Sequence, residues 1–155
     1  PPTLAPAPPP PTLFPPPTAA PPAPVPTTFP PAPLGVHQCA GTTSLMSSLD
    51  FSATPTQMQK GIKVDVVVKG QLQQTINGGT AELTIIYNNN GGIKTTGDVC
   101  SGGNCPIRRG TYWQFTSSFE VPSFLPGSGV LELRTMLRNE ANQTIVCFTD
   151  VGQLT

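Results

Sequence analysis

The chain has 155 residues, eight basic and eight acidic side chains, and no formal net charge. That balance argues against a nucleic-acid surface or an acidic interaction tail, and no apolar run nears the ~18 residues of a membrane-spanning helix. Hydrophobic residues make up only 37% of the whole, an average diluted by one unusual segment.

That segment comes first. Residues 1–38 hold 17 of the 21 prolines and none of the 16 charged side chains. Proline fixes φ near −65° and removes a backbone donor, and it pushes the preceding residue towards extended geometry. Runs such as Pro8-Pro9-Pro10-Pro11 and Pro15-Pro16-Pro17 predict an extended polyproline II stalk that reaches on the order of 100 Å at ~3.1 Å per residue. Thr3, Thr12, Thr18, Thr27 and Thr28 within it are candidate O-glycosylation sites. In composition the stalk resembles the hydroxyproline-rich, extensin-like glycoproteins. The chain starts at Pro1 without methionine and reads as a mature product or a fragment, so its compartment has to be inferred from its chemistry.

From Cys39 to Thr155 there are 117 residues and only four prolines, enough to fold as one head domain. Its apolar residues recur with a period of two. Met46–Phe51 reads as a strand. Ile62, Val64, Val66 and Val68 alternate with polar neighbours, and Asn77-Gly78-Gly79 makes a turn. Leu83, Ile85 and Tyr87 mark the next strand, Asn88 to Gly92 a second turn, and Trp113, Phe115 and Phe119 a further strand. Leu131, Leu133, Thr135 and Leu137 follow, and Ile145 to Val151 closes the series. About seven strands and no convincing helix predict an all-β antiparallel sandwich.

The four cysteines, with the Asn142-Gln143-Thr144 sequon, favour an oxidising, extracellular setting with N-glycosylation at Asn142. Cys100 and Cys105 flank four residues and suit a small loop staple, which would leave Cys39 to pair with Cys147. A four-cysteine zinc site is the competing reading, but the spacing lacks paired CxxC knuckles.

Cys100-Ser-Gly-Gly-Asn-Cys105-Pro106-Ile107-Arg-Arg-Gly110-Thr-Tyr112 is similar to the "C…CPI..G.Y" core of the ML lipid-recognition domains. These include a lysosomal cholesterol carrier and fungal phosphatidylglycerol/phosphatidylinositol transfer proteins. Lys60-Gly61-Ile-Lys-Val-Asp-Val, Ala81-Glu-Leu-Thr-Ile-Ile-Tyr87, Val121-Pro122, Leu125-Pro126-Gly127 and Asn142-Gln-Thr-Ile-Val-Cys147-Phe148 extend the resemblance, in order, over 39–155. It implies a seven-stranded immunoglobulin-like sandwich with a lipid cavity between its sheets. It also implies Cys39–Cys147 and Cys100–Cys105 disulfides. The six-cysteine members have a third disulfide near the first strands, which this chain lacks.

Catalysis has little support. The only histidine, His37, falls at the junction of stalk and head and reads as a spacer, so no conventional triad can form elsewhere. No carboxylate pair is selected by spacing, and Gly78-Gly79, Gly91-Gly92 and Gly102-Gly103 read as turns. The sequence calls for no enzyme activity, metal or cofactor. Val64, Val66, Leu83, Ile85, Trp113, Phe115, Leu131, Leu133 and Ile145 form the inward rows, which serve equally as a lipid cavity or a closed core. The stalk tips the expectation towards a secreted structural glycoprotein, self-associating through the stalk into an extracellular fibre. The alternative is a lipid-binding or transfer protein holding a sterol or phospholipid between its sheets.

Overall fold

A computed structural model describes residues 34–101 and 103–155. Residues 1–33 of the stalk, its five threonines among them, lie outside the described residues, and residues 35–38 at its end form a strand of the head. Eight strands form in place of seven: β1 (Gly35–Gln38), β2 (Met46–Thr54), β3 (Lys63–Leu72), β4 (Gly79–Tyr87), β5 (Lys94–Asp98), β6 (Tyr112–Glu120), β7 (Gly129–Asn139) and β8 (Thr144–Leu154). No helix occurs among the described residues.

The strands make two antiparallel sheets. One has the order β1-β8-β7-β4-β5 and the other β2-β3-β6. The two strands absent from the sequence reading are the outer strands of the larger sheet. β1 contains His37, so this residue is part of a strand and not a spacer. It lies opposite Thr149 of β8, and its Nε2 donates to the Leu34 carbonyl at 2.9 Å. Strand pairing therefore starts at Gly35, ahead of Cys39. β5, Lys-Thr-Thr-Gly-Asp, is exposed at every residue and carries no apolar side chain to signal a strand.

Alternation drives the packing. Val64, Val66 and Val68 of β3 face Leu131, Leu133 and Leu137 of β7 and Phe148 of β8 across the sandwich, all almost fully buried. Each such side chain contributes roughly 1.5–3 kcal/mol of burial relative to exposure. On the side where β1 and β2 meet, the sheets are drawn together. Phe51 and Phe148 pack with ring centroids 5.2 Å apart. Leu45 donates its backbone N–H to the Ile145 carbonyl at 2.9 Å, and Met58 bridges to Leu154.

The disulfides divide the labour. Cys39 is bonded to Cys147 over a separation of 108 residues, and Cys100 to Cys105 over 5. In the chain-entropy view a loop of about 100 residues yields ~4.7 kcal/mol, and one of a few residues about 2 kcal/mol. Replacing Cys39 and Cys147 together by alanine should therefore lower the urea-unfolding free energy by about twice as much as replacing Cys100 and Cys105. Equal losses would contradict this account of the long bridge.

Candidate functional site

The opposite side of the sandwich is built differently. Here β5 is the last strand of the larger sheet and β6 the last of the smaller, and no pairing joins them. Two cavities lie along this seam.

The first is apolar. Ile85, Tyr87, Ile93, Pro122, Phe124 and Leu125 enclose about 330 Å³, with Asn90, Gly91 and Gly92 completing the wall. Ile85 and Tyr87 come from β4, Ile93 from the turn after it, and Pro122, Phe124 and Leu125 from the loop between β6 and β7. That loop is held to β4 by hydrogen bonds. The Tyr87 hydroxyl donates to the Pro126 carbonyl, and just beyond β4 Asn88 accepts the N–H of Val130, at the start of β7, through Oδ1 at 2.9 Å. On the other wall Ile85 donates its N–H to the Ile93 carbonyl at 2.8 Å. Gly92 makes this close turn possible, since a Cβ there would lie 1.4 Å from the Ile85 carbonyl oxygen. At the lip, Phe124 is 74% exposed and Ile93 44%. Exposed large apolar groups rimming a concave apolar surface mark a binding face.

The second cavity, about 290 Å³, lies next along the seam, lined by β4, β5, β6 and Thr135 of β7. Its floor holds Ala81, Leu83 and Phe115, and its walls are rich in serine and threonine. A third hollow, of about 600 Å³, lies beside His37, Cys39, Arg134 and Met136, on the outer face of the larger sheet and away from the interface between sheets.

The nine inward residues thus separate. Val64, Val66, Leu131, Leu133 and Ile145 are 0–1% exposed and pack the core. Trp113 is half-buried against that core, its ring centroid 5.9 Å from that of Phe115. Leu83, Ile85 and Phe115 line cavities. Tyr87 stands in the predicted strand row but not among the nine, and the mouth residues Ile93, Pro122, Phe124 and Leu125 are in no predicted row, because they come from loops without a period. Asn142 is exposed in the turn between β7 and β8, at φ 61°, and accepts a hydrogen bond from Arg138 at 3.3 Å. Among the described residues no cluster of three or more His, Cys, Asp or Glu is placed to hold a metal.

The family model for the ML domain matches residues 33–150. The chain belongs to the ML domain family. A Dictyostelium discoideum protein bearing the name phosphatidylglycerol/phosphatidylinositol transfer protein 1 is 30% identical over 104 residues, 66% of this chain and 67% of its own. A second from that organism, numbered 3, matches to the same extent. In fold, the ML domain is similar to a Niemann-Pick type C2 protein from Japanese carpenter ant. That match has a TM-score of 0.58 and 14% identity, and covers 77% of this chain and 98% of the other. These findings overturn the fibre expectation. It rested on the proline-rich segment, whereas residues 33–150 match the ML domain, the sandwich has an apolar pocket between its sheets, and the chain resembles proteins named for lipid transfer.

Among the described residues, one charged side chain is buried in this ML sandwich. Asp150 of β8 is 5% exposed, opposite Leu133 and Val36. Burial raises its carboxyl above the ordinary 3.8, and the charge of His37 acts in the opposite direction. A raised folded-state value means that the group's contribution is fully present below the ordinary value and is lost as pH rises through the raised one. Asp150→Asn should then melt at a higher temperature than the native chain at neutral pH. Calorimetry should show the two converging as pH falls below the ordinary 3.8. A variant that melts lower at neutral pH would contradict this burial cost.

Proposed function

We propose that the protein binds a lipid between its sheets, with acyl or other apolar portions in the pocket of Ile85, Tyr87, Ile93, Pro122, Phe124 and Leu125, and acts as a lipid carrier. The observation that carries this reading is the pocket itself: it is lined by apolar side chains, sits where no strand pairing closes the sandwich, and bears an exposed phenylalanine at its lip. The names of the Dictyostelium relatives favour a phospholipid cargo. Each methylene transferred from water contributes about 0.8 kcal/mol. At about 330 Å³ the pocket is at the lower end of ligand cavities, ~300–1,000 Å³, and parting of the unpaired β5–β6 side is the direct way to enlarge it.

The same reading makes the protein a non-enzymatic, secreted one. Two disulfides suit an oxidising compartment. Asn142, exposed in its turn within an Asn-x-Thr sequon, is the N-glycan site in this reading. The immunoglobulin-like description of the sandwich also belongs here, supported by two packed antiparallel sheets.

The test is titration with a fluorescently labelled phospholipid, followed by energy transfer from Trp113, the only tryptophan. The native chain should bind near one equivalent. Ile85→Asp should weaken binding by at least about tenfold, roughly the loss of two buried methylenes. Leu125→Asp, in a loop, is the companion variant if the first does not fold. Absence of binding by the native chain, or unchanged binding by both folded variants, would sink the proposal.

A further inference from the structure

The second cavity is not explained by apolar binding, and the pattern of its residues is unusual. β7 presents Leu131, Leu133, Thr135 and Leu137 inward, and β6 presents Trp113, Phe115, Ser117 and Phe119. Each row is apolar except for one hydroxyl. Both hydroxyl-bearing residues, with Thr95 of β5, line the same recess. The register explains the convergence. Leu83 of β4 pairs with Thr95 on one side and Thr135 on the other, while Ser117 faces them from the opposite sheet beside Val66. Thr135 is 2% exposed, at a position where the strand pattern calls for leucine. A buried hydroxyl is costly without a partner.

Two outer hydroxyls of β6 are already engaged. Ser118 donates to Asp65, and Thr116 accepts from Gln114 at 3.4 Å. Among the described residues, Thr95, Ser117 and Thr135 take no part in the side-chain hydrogen bonds, and no fully enclosed polar atom lacks a partner. Ser117 and Thr135, neither of them exposed, thus line the recess with hydroxyls that have no protein partner among the described residues, and Thr95 lines its open edge. The charged groups beside it are Glu82, neutralised by Lys94 at 3.0 Å, and Asp98, which accepts the Cys100 N–H at 2.8 Å. With Glu82 paired, the wall offers hydroxyls and one carboxylate, groups that accept hydrogen bonds from neutral hydroxyls.

The recess is also one step from the apolar pocket. Leu83 and Thr95 line the recess; Ile85 and Ile93, each two residues along the same strand face or its extension, line the pocket. That step is about 7 Å. We infer that the β5–β6 recess is a headgroup subsite for the uncharged polyol end of an amphiphile whose apolar part occupies the neighbouring pocket, an inference that rests on the lipid-binding reading. Thr95, Ser117 and Thr135 are its specificity-determining residues. At about 290 Å³ the recess has the liquid volume of roughly ten waters at ~30 Å³ each, which a ring of hydroxyls can replace.

The polyol can belong to a phosphoinositide-type lipid or to a neutral glycolipid, and the experiment separates them. Native full chain is titrated with dioctanoyl phosphatidylinositol, galactosyl dioctanoylglycerol and dioctanoyl phosphatidylcholine, with Trp113 emission as the signal. The native chain should prefer at least one polyol lipid over the choline lipid by about tenfold, equivalent to about 1.4 kcal/mol. A preference for the galactolipid alone assigns the neutral source, and one for the inositol lipid the phosphorylated source. Ser117→Ala with Thr135→Val should bring that ratio to near unity. Thr95→Val, on the exposed edge, gives an independent reduction if the double variant fails to fold. Equal binding of all three lipids by the native chain, or a preference that survives in the folded variants, overturns the subsite and leaves lipid binding standing. Failure to bind any of the three overturns both.

Discussion

The interface between the two sheets is held on one side only, and the rest of the molecule follows from that asymmetry. Where β1 and β2 meet, the Phe51–Phe148 contact, the Leu45–Ile145 hydrogen bond and the Met58–Leu154 bridge draw the sheets together. The Cys39–Cys147 bridge fixes the chain between β1 and β2 to the first half of β8. Across the molecule β5 and β6 end their sheets without a partner. An unpaired sheet edge is a liability unless it is charged, short or covered. β5 meets this with five exposed residues bearing two charges, and β6 with a hydroxylated outer row. The interior can then open on this side without breaking a ladder.

Sequence pattern revealed the rigid half of this design better than the open half. The valines of β3 and the leucines of β7 alternate because both strands have one buried face, and that period is visible in any window. β5 has no apolar residue, and β1 is four residues between prolines and Cys39, so neither carried a period. The same inward rows contain core and cavity residues. Val66 and Leu83 look alike in sequence, and only the position of Leu83 next to the exposed strand makes it a cavity wall. Most of the mouth was invisible because loops supply Ile93, Phe124 and Leu125. The single hydroxyls in otherwise apolar rows were readable one by one. Their meeting in one recess depends on register, which one-dimensional patterning does not determine.

The proline-rich segment weighs most in the expected function and least in the proposed one. Its composition is distinctive, whereas the ML features are a scatter of short pieces, so a structural polymer appeared the stronger reading. Family membership over 33–150 reverses that order. On the proposed reading, a head that leaves one side of its sandwich unpaired, and lines the gap with apolar groups and then with hydroxyls, suits an amphiphilic molecule. A closed core would have filled Thr135 and Ser117 with aliphatic side chains and would not expose Phe124 at a loop tip.

The most direct test of that account is native mass spectrometry of the chain purified from a eukaryotic secretion host, with lipid extraction of the same sample. The account predicts a bound lipid near one equivalent, released on unfolding and absent from the Ile85→Asp chain. A native chain whose mass shows no bound lipid, and which takes up none when incubated with phospholipid vesicles, would contradict it.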